Sequence, residues 1–194
     1  MSKQMFISEG KSYMHRLSSC ISDEVLEKVY VMAEALKRAW EHDRQVFLCG
    51  NGGSAANALH IANDFLYGVG NCGTRQKRAG LRVEGLPGNQ GILTCLANDT
   101  GYENIYSKQL EAKCSAGDIL IVLSGSGNSG NIVKALETAK GIGAQTFAIL
   151  AFDGGKSRGL ADVAIHLPVD DMQIAEDLQL VVAHLCMQWL CKTR

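Results

Sequence analysis

The chain has almost no excess of charge of either sign: 19 Lys and Arg stand against 20 Asp and Glu, a net charge of −1 over 194 residues. It has no basic run, no low-complexity tract and no interleaving of aromatic with basic side chains. Together these absences argue against nucleic acid as the main ligand. Long hydrophobic runs are missing too, since no segment approaches the ~20 apolar residues that span a bilayer. Residues 1–10 carry no long apolar stretch of the signal-peptide kind. A cytoplasmic protein, with neither a membrane nor nucleic acid as partner, is the expectation. The seven cysteines, Cys20, Cys49, Cys72, Cys95, Cys114, Cys186 and Cys191, form no C-x-x-C pair, and several lie inside apolar runs. They are expected to be reduced and mostly to fill packing positions.

What is present suits one soluble globular domain spanning residues 1–194, with 46% hydrophobic and 20% charged residues. Residues 1–44 have helical character twice over. Ser22-Asp23-Glu24 can cap a helix in which Val25, Leu26, Val29, Met32, Ala33, Leu36 and Trp40 recur at spacings of three and four. An amphipathic helical pair ahead of the first strand is either an oligomerisation element or a cover for the sheet of its own chain. From residue 45 to 194, strand-like and helix-like segments alternate, which predicts an α/β core with a doubly wound parallel sheet and ligands at the carboxyl ends of its strands.

Two glycine turns organise that core. Gln45-Val-Phe-Leu-Cys49, short enough for a buried strand, runs into Gly50-Asn51-Gly52-Gly53-Ser54 and then an alanine-rich helix over 53–67. Asp118-Ile-Leu-Ile-Val-Leu123 runs into Ser124-Gly125-Ser126-Gly127-Asn128-Ser129-Gly130 and a helix over about 131–140. Free N–H groups at the helix starts, the helix dipole and serine hydroxyls favour an anion such as phosphate, with no lysine or metal required. The first turn fits neither G-x-G-x-x-G nor G-x-x-x-x-G-K-[ST], so neither a dinucleotide site nor a Walker-type ATP site is supported.

Three further stretches complete the reading. Gly68 to Gly80 is expected to be a loop near the mouth of the site or a plain surface linker, with strand character following over 81–86. Residues 91–97 favour a helix over a strand, ending in a turn at Asn98-Asp99-Thr100-Gly101-Tyr102 and a helix over about 103–112. On the first-turn helix, His60 and Asp64 lie four residues apart and share a face, able to bind metal or move protons. The last helix, about 172–190, carries Glu176, Asp177, Gln179 and His184 among apolar residues. Glu176 and His184 stand about 80° apart around an ideal helix, and spacing alone does not choose between Glu176 and Asp177.

Cys49-Gly-Asn-Gly-Gly-Ser54, Leu96-Ala-Asn98-Asp99-Thr-Gly101-Tyr-Glu103, Ser124-Gly-Ser126-Gly-Asn-Ser129 and Asp153-Gly-Gly-Lys156, in this order, resemble the sugar isomerase (SIS) domain. Within it they resemble the phosphoheptose isomerases, which interconvert sedoheptulose 7-phosphate and heptose 7-phosphate for surface polysaccharide synthesis. The resemblance implies a three-layer, flavodoxin-like fold and a homotetramer with its sites between subunits. It implies a phosphate held by Ser54, Ser124, Ser126 and Ser129 with the glycines Gly52, Gly53 and Gly125, and sugar hydroxyls held by Asn51, Asn98 and Asp99. It also implies one zinc per subunit, bound by His60, Asp64, Glu176 and His184, with registration on His184 selecting Glu176, which is expected to contact the substrate as well. Asp64 as base and His184 as acid would then move a proton between C1 and C2 through an enediol. The sequence departs from the family pattern at Asp64, where Glu is usual, at Glu176, where Gln is usual, and at Gly68, where some members have arginine. Two other readings follow from the same domain: a non-catalytic binder of a sugar phosphate or protein partner, like the relative that binds the replication initiator, and an isomerase of a different sugar phosphate.

Overall fold

The computed structural model describes residues 2–72 and 79–193. Helices α1 (Lys3–Ser19) and α2 (Asp23–Glu41) precede strand β1 (Gln45–Gly50). Helix α3 (Gly53–Asn63) passes into a π-turn (Asp64–Gly68) and a last turn, α4 (Val69–Asn71). After β2 (Arg82–Gly85) come α5 (Gln90–Thr100), α6 (Ser107–Lys113) and β3 (Ile119–Ser124). The chain continues through α7 (Gly130–Ile142), β4 (Gln145–Leu150), α8 (Gly155–Leu160) and β5 (Val163–His166), and ends in α9 (Met172–Lys192).

Among the described residues, five strands form one parallel sheet in the order β2-β1-β3-β4-β5. Side chains alternate across it with the period of two that a strand imposes. Val46, Leu48, Ile119, Ile121, Leu123, Phe147 and Ile149 face a core closed by α2, α3 and α9. Phe47, Cys49, Leu120, Val122, Ala148 and Leu150 face a second core closed by α6 and α7. Burial on both faces explains why β3 reads as an unbroken apolar run. The strand order reverses direction between β1 and β3, so the loops leaving these two neighbours open a crevice at the carboxyl edge of the sheet. Among the described residues no helix is long and apolar enough to cross a membrane.

Three details differ from the sequence expectation. Helical structure runs four residues past position 67, through the π-turn and α4, so residues 68–71 are not loop; the rest of the expected loop falls largely at 73–78, outside the described residues. Helix α5 continues to Thr100, placing Asn98 and Asp99 in its last helical turn rather than in the turn expected after it. Asn89 caps its start, accepting from the Ile92 N–H, and Gly101, with φ +96, stops it. Finally, Cys72 and Cys191 are joined as a disulfide across 119 residues, while the other five cysteines are free. The expectation of seven reduced thiols is corrected at this pair, which the fold brings together where α4 passes α9.

Candidate active site at the carboxyl edge of the sheet

Gly50 and Gly52 make the first turn possible. A Cβ on Gly50 would stand 2.6 Å from the Ser54 backbone, and Gly52 holds φ +55, a region that favours glycine. Because β1 and β3 are neighbours, the two turns meet on one cavity of about 280 Å³. Asn51, Gly52, Gly53, Ser54, Ser124, Gly125, Ser126 and Ser129 all line it. The two turns are tied by a reciprocal amide pair: Asn51 Nδ2 donates to Asn131 Oδ1 at 2.9 Å, and Asn131 Nδ2 donates to Asn51 Oδ1 at 2.8 Å. The Tyr102 hydroxyl also donates to Asn51 Oδ1, at 3.0 Å. Beneath the turn, the Tyr106 hydroxyl donates to the Gly50 carbonyl, and burial pushes that phenol up from its ordinary value.

Three serine oxygens are already used as acceptors. Ser54 Oγ accepts from Gln179 Nε2 (2.9 Å), Ser124 Oγ from the Gly127 N–H (3.1 Å) and Ser126 Oγ from the Asn128 N–H (3.3 Å). Each hydroxyl hydrogen is therefore left to donate elsewhere. Together with the first-turn N–H groups of α3, which has no side-chain cap, these hydroxyls suit an anionic ligand.

The second feature lies farther along α3. His60 Nε2 and His184 Nε2 are 3.1 Å apart, and Asp64 Oδ2 lies 3.4 Å from the first and 3.2 Å from the second. The α3–α9 packing of one chain thus brings His60, Asp64 and His184 together. A polar clamp sets that packing: Asn57 Nδ2 donates to the Glu176 carbonyl (2.9 Å) and to Gln179 Oε1 (3.0 Å), and Gln179 reaches on to Ser54. The π-turn begins at Asp64, whose carbonyl accepts from the Val69 N–H five residues on, a local widening often found at functional sites. Tetrahedral zinc with bonds of about 2.0–2.1 Å would set its ligand atoms about 3.3 Å apart. The three observed separations match that edge length, and two imidazoles with a carboxylate are a zinc-like donor set.

Glu176 is not part of this cluster. Its carboxylate lines the cavity between the two glycine turns, pressed against Gly53. Of the two places expected for Glu176, fourth metal ligand and substrate contact, its carboxylate occupies the second, and the three-residue cluster forms without it. Asp177, the alternative carboxylate, instead accepts from the Tyr13 hydroxyl at 2.5 Å, which pushes that phenol up to about 12. Asn98 and Asp99 also stand away from the cavity; they are exposed and bond to each other at 2.8 Å. Asn57, Asn131 and Gln179 build the site; of these the sequence marked only Gln179, as a polar residue of the last helix, and gave none of them a site role. Their signal is slight: one polar residue each, in an alanine-rich helix, at a helix start and within an apolar stripe.

The SIS domain pattern matches residues 9–151. The chain belongs to the SIS-domain family. Relatives of this SIS protein include phosphoheptose isomerases from Geotalea daltonii, 34% identical over 96% of each chain, and from Vibrio vulnificus, 35% identical over 96% of this chain and 94% of that one. The structure of phosphoheptose isomerase GmhA from Neisseria gonorrhoeae superposes with a TM-score of 0.85 at 25% identity, covering 97% of both chains. A phosphoheptose isomerase from Francisella tularensis, at 23% identity and a TM-score of 0.86 over the whole of both chains, shares the fold. The SIS protein is an enzyme, an isomerase of the phosphoheptose isomerase-like kind.

Proposed function

We propose that the protein is a sugar-phosphate aldose–ketose isomerase that converts sedoheptulose 7-phosphate to D-glycero-D-manno-heptose 7-phosphate, with zinc at His60, Asp64 and His184. The observation that carries this reading is the spacing of the three donor atoms, 3.1, 3.2 and 3.4 Å, on the same helix whose first turn lines the anion cavity. Gly53 and His60 are seven residues apart on α3, about 10 Å of helix. One face thus offers a phosphate grip at one end and proton-transfer groups at the other.

In the reaction the Asp64 carboxylate takes a proton from C1 of the ketose while His184 gives one to the C2 oxygen, leaving an enediol. Return of the carbon-bound proton to C2 and loss of the proton on the C1 oxygen yield the aldehyde. A carboxylate that gives one oxygen to a cation keeps the other for this proton, and an imidazole keeps its second nitrogen. A zinc ion bound here would supply charge stabilisation for the oxygens of the enediol. Ser54, Ser124, Ser126 and Ser129 hold the phosphate.

The same reading includes a homotetramer with its sites between subunits. Helix α1 has no buried residue, and Met5, Phe6 and Met14 are 52%, 71% and 60% exposed. Tyr30 and Tyr67 add further exposed apolar surface, a pattern that marks interaction faces. Asn98 and Asp99, exposed in one chain, would meet a neighbour's sugar in such an assembly. The test is conversion of a panel of five- to seven-carbon sugar phosphates by the purified protein. Sedoheptulose 7-phosphate should be turned over, and Asp64→Asn and His184→Ala should each lower kcat by about 100-fold or more. No turnover of that substrate, or undiminished turnover in both variants, would overturn the proposal.

A further inference from the structure

Glu176 holds an unusual place for an acidic side chain. Its carboxylate lies in the cavity built for an anion, so close to Gly53 that a Cβ there would overlap both of its oxygens. Among the described residues no side chain pairs with that carboxylate, whereas the first turn of α3, uncapped by any side chain, lies directly beneath it. The partial positive charge of a helix start stabilises such an anion. Meanwhile Asn57 fixes the backbone of Glu176 through its carbonyl, at 2.9 Å, so the carboxylate leaves the cavity only by rotation of its own side chain.

We propose that Glu176 is an internal occupant of the anion cradle that an incoming phosphate must evict, and so determines which anions the site accepts and how tightly. The proposal rests on the reading of this cavity as the phosphate site. A carboxylate and a phosphate cannot share the same helix start without strong like-charge repulsion. Binding therefore requires the swung-out state of Glu176, and apparent affinity falls by the fraction of molecules in that state. Anions with too little charge to displace the carboxylate are excluded.

The experiment is calorimetric titration of inorganic phosphate into the wild type, Glu176→Gln and Glu176→Ala. Glu137→Gln, which removes the same charge from an exposed position on α7, is the control. Both Glu176 variants should bind phosphate at least about tenfold more tightly than the wild type, since removing the competitor removes that penalty, and the control should match the wild type. Affinities in both Glu176 variants within about twofold of the wild type would overturn the role of Glu176 while leaving the cradle intact. Failure of the wild type and both variants to bind phosphate at all would overturn the cradle reading and this proposal with it.

Discussion

Breaking the Cys72–Cys191 link should lower stability by an amount the structure sets. The two sulfurs close a loop of 119 residues, and loosening such a loop in the unfolded chain corresponds to about 4.9 kcal/mol at 25 °C in the chain-entropy description. An unfolding entropy of about 0.4 kcal/mol/K for a chain of this length converts that figure to about 12 °C in Tm. Residual order in the unfolded state reduces the effect, so a fall of about 5–12 °C is expected for the Cys72→Ser/Cys191→Ser double variant. The link also bears on the site. His184 and Cys191 are seven residues apart on α9, hence nearly on one face, and Gly68, between Asp64 and Cys72, lies against the Met187 methyl. The disulfide therefore closes the same α3–α9 seam that carries His60, Asp64 and His184. Scanning calorimetry of the double variant, and of the wild type with and without a dithiol reductant, reads the shift. Thiol titration of unfolded, unreduced protein should find the five free cysteines, and the full seven only after reduction. Seven thiols before reduction, or a Tm change under about 2 °C, would refute the reasoning.

Asn57→Ala removes two of the three hydrogen bonds of the α3–α9 clamp, leaving that from Gln179 to Ser54, and leaves the Gln179 amide oxygen, on a residue only 1% exposed, without its partner. It should cost about 2–4 kcal/mol in urea unfolding, and a loss below about 0.5 kcal/mol would show that the clamp is not what holds the seam. Helix α1 should loosen in acid. The Arg16 guanidinium and then the Ile174 N–H hold the Asp171 carboxyl below the ordinary carboxylate range, so its contribution is complete above about pH 4 and lost as pH falls through the lower folded value. Hydrogen exchange corrected for intrinsic rates should find α1 better protected at pH 5 than at a pH well below the ordinary carboxylate range, whereas equal protection at both would contradict the role of this pair.

Much of the fold was legible because it follows from local pattern. The run Ile119–Leu123 with the Ser/Gly turn behind it, the capped 3–4 spacing of α2, and the glycines at 50 and 52 each point to one backbone solution, and strand–helix alternation points to the parallel sheet. His60 and Asp64 were visible as an i, i+4 pair, but their meeting with His184 depends on which turn of α9 passes α3, and spacing within one helix carries no such information. Glu176, eight residues before His184, was expected at the cluster only through the family resemblance registered on His184, and its carboxylate instead reaches the first turn of α3. Asn98 and Asp99 look like turn formers, yet Asn89 in front and Gly101 behind define a helix that includes them. The disulfide left no trace in the sequence, because its partners come from α4 and α9, which only the completed fold brings side by side.

The central claim is that α3 and α9 of one chain build a zinc site. The most direct test is metal content of protein purified without added metal, measured beside His60→Ala and His184→Ala. The account predicts about one zinc per chain in the wild type and almost none in either variant, since each removes one of three ligands. A wild type that holds no zinc even after it is added back, or variants that keep a full complement, would contradict it.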